Sequence, residues 1–447
     1  MASYNAEKLG VEPIHKLLAD MSLQTTLSLL LYSIYALTDT FFLTRGVSAY
    51  AAGGVAVISP VMMILGAVST TTGSGAASII SRALGKGDKE KAAATAANAF
   101  LLFWLTALVF TVLGLIFMTP LLHFLGADDT LMPYAKGYAR IILLGTITST
   151  GFSSIIRAEG NTKYSLYIWI FPVIINLIFD PLFIFVFKWG VEGAAIGTVL
   201  AQAVSAGMSI YYFFFSKRDA YAIRRKHFRL KGFLLGEIIS IGSPSLISQV
   251  STSSIVILIN HILLRYGGAD AITAYGIVSR IQSFMILPLN GVVQGMQPIV
   301  GFNYAAKYFP RVKKAIRLAI VAGFGYGTIA LLAGVMGARP LLRLFITEPE
   351  ILRMGVSILP VIALSFPFKG IPIIVSAVFQ SEGKPFHSIA LLLTGIFAVQ
   401  LPLLLFMSQW FDLTGIWFAF VISDALMCVV SCIILVRSFK FWGAGAQ

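Results

Sequence analysis

The most chemically informative part of the sequence is the apolar run from Tyr164 to Phe187, which contains Asn176 and Asp180. The run is long enough to cross a bilayer. An ionised Asp at the centre of a membrane helix costs about 2.5–3.5 kcal/mol on insertion scales, so such a residue normally faces a partner or a wet cavity. Because positions i and i+4 share one face of a helix, the Asn176 amide and the Asp180 carboxylate can address a single proton or cation.

A second acid, Asp39, stands between two threonines in the first apolar run. Two carboxylates near one low-dielectric cavity cannot both ionise cheaply, so we expect them to titrate together, as a proton-coupled site requires. The same acids, with Asn176 and the hydroxyl of Thr198, supply hard oxygen ligands that suit sodium equally well. The predicted coupling ion is therefore H⁺ or Na⁺, and no other cofactor is expected. The simpler alternative is a structural role, in which Asp39 caps a broken helix or pairs with a basic residue.

The embedded charges of the second half are mostly basic. Arg280 lies too deep in its run for easy snorkelling, so we expect it to meet an acid, either Asp424 or Asp39. Lys369 lies within Phe366–Pro372, where two prolines must interrupt the helix and free carbonyl groups for a ligand or a hinge. A structural ion pair is the competing interpretation. The predicted substrate cavity of this half comprises Asn260, Arg280, Met285, Lys369 and Asp424.

The composition predicts an integral membrane protein. Of 447 residues 57% are hydrophobic and only 12% are charged, whereas soluble domains carry about a quarter charged residues. The net charge of +14 comes from short basic clusters between apolar runs, which argues against nucleic-acid binding. The two cysteines, Cys428 and Cys432, share one apolar run and are expected to be packing residues rather than a disulfide or zinc site. The first fifteen residues lack the apolar core of a signal peptide.

Twelve apolar runs can each span the hydrocarbon core, six before and six after a basic interruption. We predict an all-α membrane protein with a six-helix bundle at 1–215, a cytoplasmic basic linker at 216–236 and a second bundle at 237–447. Most Lys and Arg residues lie in loops after even-numbered helices, so both termini are predicted to be cytoplasmic in a cell (inner) membrane. The basic linker could also lie on anionic lipid, although fixing topology accounts for its charge.

The two halves resemble each other at a nearly constant offset. Glu159-Gly160 matches Glu382-Gly383 at 223 residues, and Gly193 matches Gly415 at 222. Because each half has an even number of spans, the two copies share one orientation in the membrane, as in one class of transporter repeat.

Together these motifs resemble the multidrug and toxic compound extrusion (MATE) family, in its prokaryotic DinF-like and MepA-like branch. The resemblance covers essentially the whole chain. It rests on Asp39, Ser78–Gly85, Ile155–Asn161, Asn176–Phe185 and Gly193–Thr198. It implies two six-helix bundles around a V-shaped cleft, and a monomer that antiports cationic or amphipathic drugs against protons or sodium. It also implies that Asp39, Asn176, Asp180 and Thr198 form the coupling site.

A branch resembling NorM adds acids on helices seven and ten, but no acid occurs here between Glu237 and Asp270 or between Glu350 and Glu382. The nearest alternative function is a lipid-linked saccharide flippase of the same superfamily, which would place several basic residues in its cavity. A membrane enzyme is a weaker alternative, because it would need a clustered His and acid at one interface, whereas the five histidines are scattered. The sequence contains no Walker loop or nucleophile elbow, so we predict no enzymatic activity.

Overall fold

The computed structural model of the chain describes residues 2–47, 49–125, 127, 129–148, 152–216, 220–345 and 348–444. These residues are almost entirely helical, and no strand occurs among them. The helices of the first half are α1 (Ala2–Val11), α2 (Ile14–Gly46), α3 (Ala49–Gly85), α4 (Lys89–Ile116), α5 (Met118–Phe124), α6 (Met132–Gly145), α7 (Phe152–Ala158), α8 (Thr162–Pro181) and α9 (Gly190–Ile210). Those of the second half are α10 (Gly232–Ala305), α11 (Phe309–Met336), α12 (Ala338–Arg343), α13 (Pro349–Ala363), α14 (Phe366–Ser381), α15 (Pro385–Leu393) and α16 (Leu401–Ala444).

The helices account for twelve membrane crossings in the part of the chain that the structure describes. Ten helical segments are long and apolar enough to span a bilayer, and α13 with α14 forms a further span that is bent by 52°. One of the ten, Pro385–Lys440, has 56 residues. Since its backbone leaves the helical region at Phe411 and Asp412, it provides two crossings. The predicted all-α, twelve-helix fold is confirmed.

The chain divides into two compact units that do not coincide with a single cut. Unit 1 consists of Met1–Leu9 and Leu27–Gly242, and unit 2 of Gly10–Thr26 and Ser243–Gln447. Each unit has its own apolar core, with Leu43, Ile58 and Ile142 buried in unit 1 and Ile259, Leu359 and Ile416 in unit 2. The domain boundaries predicted at residues 215 and 237 stay a prediction.

In unit 1, the start of α10 crosses α3 at very short range. A Cβ atom on Gly242 would overlap the carbonyl of Thr71, and one on Gly75 would overlap the carbonyl of Ile238. Small residues allow such close approach of helices in membranes, where packing replaces the hydrophobic effect between helices. The two glycines therefore hold the beginning of α10 within unit 1.

In unit 2, the start of α2 makes the matching contact with the later part of α10. A Cβ atom on Gly291 would overlap Thr26, and one on Gly295 would lie 2.8 Å from the backbone nitrogen of Ser22. Gly291 and Gly295 follow Thr71 and Gly75 by 220 residues, so the same crossing occurs once in each unit. The first long helix of each repeat is thus divided between the units.

The repeat is also visible in the backbone of the connections. Left-handed positions, which favour glycine, recur in pairs 220 to 223 residues apart. These pairs are Gly87 and Lys307, Gly160 and Gly383, and Gly190 and Asp412.

The described part of the predicted linker packs tightly against unit 1. Glu159 is 1% exposed, and it accepts hydrogen bonds from the hydroxyls of Tyr212, at 3.0 Å, and Tyr221. Farther along, the backbone N–H of Arg224 donates to Nδ1 of the buried His227, so the other ring nitrogen carries the proton of the neutral ring. That nitrogen, Nε2, lies 3.0 Å from Oε1 of Glu90. The segment is therefore bonded to the ends of the unit 1 helices rather than extended between the two units.

The glycine crossing of unit 1 yields a stability prediction. Gly242→Ala should lower the thermal unfolding temperature of the purified chain in detergent, because overpacking at a rigid contact costs about 1–3 kcal/mol. Gly236→Ala is the matched control, since it lies on the same helix with nothing within 4 Å of an added Cβ. Removing a helical glycine there should leave stability equal or slightly higher. Equal unfolding temperatures for the two variants would contradict the crossing.

Candidate ion site and a second charged cluster

The predicted ion site of the first half lies at the end of α8. This helix begins at a side-chain cap, in which Asn161 accepts a hydrogen bond of 3.1 Å from the backbone N–H of Tyr164. It ends at Pro181 and continues as a π-helical turn, Leu182–Val186. Such wide turns inside helices occur often at functional sites. The break follows Asp180 directly, so the acid occupies the last regular turn.

Asn176 and Asp180 are both fully buried, at 0% exposure. The Asn176 Nδ2 amide donates a hydrogen bond of 2.8 Å to Oδ1 of Asp180. The predicted one-turn pairing is therefore formed in the structure. The Asn176 Oδ1 atom is buried and accepts no hydrogen bond from the described residues, which leaves an amide oxygen beside the carboxylate.

The neighbouring helix α9 closes the other side of the carboxylate. A Cβ atom on Gly197 would overlap Oδ1 of Asp180, and one on Gly193, one turn earlier, would lie 3.0 Å from the Phe183 side chain. These glycines let α9 approach the end of α8 closely. Thr198 follows Gly197 and is 3% exposed, so the predicted hydroxyl is buried on the helix that contacts the acid.

This arrangement can take up a small positive ion. A carboxylate oxygen and an amide oxygen are donors for a hard cation, and a carboxylate in an apolar setting also gains from a proton. The backbone of Asp39 lies within α2, but its side chain falls outside the described part of the chain. The pairing of Asp39 with Asp180 therefore stays a prediction.

The predicted cavity residues of the second half have different surroundings. Asn260 lies on α10, and its side chain falls outside the described part. Met285 is a packing residue in a small cluster with Ala330, Ala363 and Phe366. Its carbonyl accepts a 2.6 Å hydrogen bond from the Tyr326 hydroxyl. Arg280 is exposed on α10.

Lys369 and Asp424 form an ion pair, with Nζ and Oδ2 4.0 Å apart. The acid expected opposite Arg280 is thus paired with the other embedded cation in unit 2. Lys369 lies in the first turns of α14, just after the break between α13 and α14. Ser365, at this break, is fully buried. The sequence analysis missed Ser365, although its position two residues before Pro367 is the usual place of a helix cap.

Metal binding is not supported at the remaining candidates. Cys428 and Cys432 are free thiols that are half-buried on α16. Within the residues that the structure describes, no group of three His, Cys, Asp or Glu side chains could hold a metal ion.

The comparison with protein families decides the identity of the fold. The model of the family named MatE matches residues 25–182 and 244–406, one segment in each half. The chain belongs to the MatE family. The expected family resemblance is confirmed, and the chain is a membrane transporter and not an enzyme.

Curated relatives and solved structures agree with this assignment. The multidrug export protein MepA of Staphylococcus haemolyticus is 25% identical over 430 residues, which cover 96% of this chain and 94% of that protein. A protein of Shewanella oneidensis named FAD transporter is 26% identical over 435 residues, 93% of each chain. The outward-facing structure of a multidrug resistance MATE family transporter of the MOP superfamily superposes with a TM-score of 0.91 at 23% identity, over 98% of both chains.

The contact between α8 and α9 yields a prediction for this MatE chain. Gly197→Ala should displace the Asp180 carboxylate and lower transport strongly, because its Cβ would overlap Oδ1. Gly207→Ala is the control, since it lies on the same helix with nothing within 4 Å of an added Cβ. Dye efflux from cells that lack their own exporters, at matched expression, measures the effect. Equal efflux for the two variants would show that the close approach to Asp180 is not required.

Proposed function

We propose that this chain is a secondary active exporter of small organic molecules that is driven by the entry of protons or sodium ions. The observation that supports this most directly is the fully buried carboxylate of Asp180, which accepts its hydrogen bond from Asn176 in the interior of a membrane helix. The proposed coupling site comprises Asp39, Asn176, Asp180 and Thr198. The names of the staphylococcal relatives as multidrug export proteins support the direction and breadth of transport.

The ion drives transport only if it binds the two end states with different affinity. In the proposed cycle, a proton or sodium ion from outside binds the coupling site, and the occupied site favours the state in which cargo leaves. Release of the ion on the inner side resets the transporter. A carboxylate in hydrocarbon suits this role, because its free energy changes by several kcal/mol between the charged and neutralised forms.

The proposed cargo is a cationic or amphipathic drug, and the proposed location is the cell membrane with both termini in the cytoplasm. The positive-inside distribution of Lys and Arg supports this orientation. We also propose that a monomer carries the full function, because each chain contains both repeats of the family.

The coupling site is tested with Asp180→Asn and Asp39→Asn in proteoliposomes. An amide cannot exchange a proton and binds a cation more weakly than a carboxylate does, so each variant should reduce gradient-driven dye efflux to the level of empty liposomes. Asp129→Asn, an exposed acid, is the matched control and should retain wild-type efflux.

Imposing a proton gradient and a sodium gradient in separate experiments identifies the driving ion, and only one should support efflux by the wild-type chain. Wild-type rates in both aspartate variants would refute the coupling site. Failure of the wild-type chain under both gradients would refute the proposed energy source.

A further inference from the structure

A broken helix in unit 2 presents its amino end inside the membrane span. Helix α13 ends at Ala363, α14 begins at Phe366, and the two are bent by 52°. The amino end of a helix carries the equivalent of about half a positive charge and attracts anions. In transporters, half-helix amino ends at the middle of the membrane point at anionic groups of the substrate. A helix end alone is not a site, so the surrounding side chains decide.

Three polar groups at this break leave their hydrogen bonding incomplete among the described residues. The Lys369 ammonium and Asp424 Oδ2 are 4.0 Å apart, well beyond the 2.7–2.9 Å of a charge-assisted hydrogen bond. Asp424 Oδ2 is buried and has no hydrogen-bond partner, and the same holds for the Ser365 hydroxyl. Ser365 is 0% exposed, and it adjoins the Asp424 carboxylate without completing a bond to it.

Water must reach this cluster. The side chains of Lys369 and Asp424 are 25% and 23% exposed. Exposure of two charged groups to hydrocarbon would be very costly, so charged residues in membrane spans face protein or a wet cavity. The exposed parts of Lys369 and Asp424 therefore face a space that a dissolved ligand can enter.

The charge of the cluster favours an anion over a cation. Lys369 contributes one positive charge and the end of α14 about half of one, against the single negative charge of Asp424. We propose that Lys369, Ser365 and the amino end of α14 bind a carboxylate or phosphate group of an amphipathic solute, and that Asp424 competes with this group for Lys369. As a site for cargo this rests on the proposed function, and it adds anionic groups to the cationic cargo proposed above.

The two members of the pair should have opposite effects on anion binding. Lys369→Gln removes the cation and should weaken binding of an anionic probe about tenfold or more, since hydrogen bonds to charged groups contribute about 1.5–3 kcal/mol. Asp424→Asn removes the competing carboxylate and should strengthen binding of the same probe. A structural ion pair would make both substitutions harmful, and a cation site would reverse both signs.

Two rhodamine dyes make the test specific. Rhodamine 110 carries a free carboxylate, and rhodamine 123 is its methyl ester, so the pair differs in that group. Binding to the full-length chain in phosphatidylcholine nanodiscs is measured by fluorescence anisotropy. Lys369→Gln should weaken binding of rhodamine 110 only, and Lys369→Arg should restore it. The doubly neutral variant K369Q/D424N retains a matched pair of side chains and should bind like K369Q, which keeps the test valid if D424N misfolds.

The outcomes separate the possible occupants. Replacing part of the lipid with phosphatidylglycerol should leave rhodamine 110 binding unchanged if the cargo supplies the anion. Competition that disappears in K369Q would assign the same anion site to a lipid phosphate. Changes of the same sign in K369Q and D424N, or equal losses for both dyes, would overturn the proposal. Efflux of rhodamine 123 under an imposed gradient reports the proposed function independently, because that dye lacks the carboxylate.

Discussion

The structure depends on one constraint, the high free energy of a charge in hydrocarbon. Asp180 satisfies this constraint through Asn176 on its own helix and through the close approach of α9 at Gly197. No larger residue than glycine fits at that contact, so the position of the acid depends on the packing of two helices. The capped start of α8 and the π-helical turn after Pro181 determine how far along the span the acid is placed.

The same close packing organises the repeat. At Gly242 in unit 1 and Gly291 in unit 2, the backbone of one helix lies against that of another, with no space for a side chain. Helices α2 and α10 each begin in one unit and continue in the other. A change in either unit must therefore be accommodated along a continuous helix. Pro244 lies two residues beyond the glycine in α10, and it removes one backbone hydrogen bond there.

Much of this architecture could be predicted from the sequence, because membrane spans and sequence repeats follow from simple rules. The twelve spans, the constant offset and the pairing of Asn176 with Asp180 required only hydropathy, spacing and helix geometry. The partner of Asp424 could not be predicted, since Lys369 is 55 positions earlier and only tertiary packing brings the two together. For the same reason the sequence did not reveal that Tyr221, in the predicted linker, bonds to Glu159 in the interior of unit 1.

The two units place opposite charges at comparable points of their helices. In unit 1 the break in α8 follows an acid whose neighbour is an amide, so only a positive ion can neutralise the site. In unit 2 the break before α14 is next to a lysine, and the nearby acid is separated from it by 4.0 Å. A helix that ends at a break presents carbonyl groups, whereas a helix that begins at one presents N–H groups. The repeat thus provides one framework in which the direction of the broken helix selects the sign of the ligand.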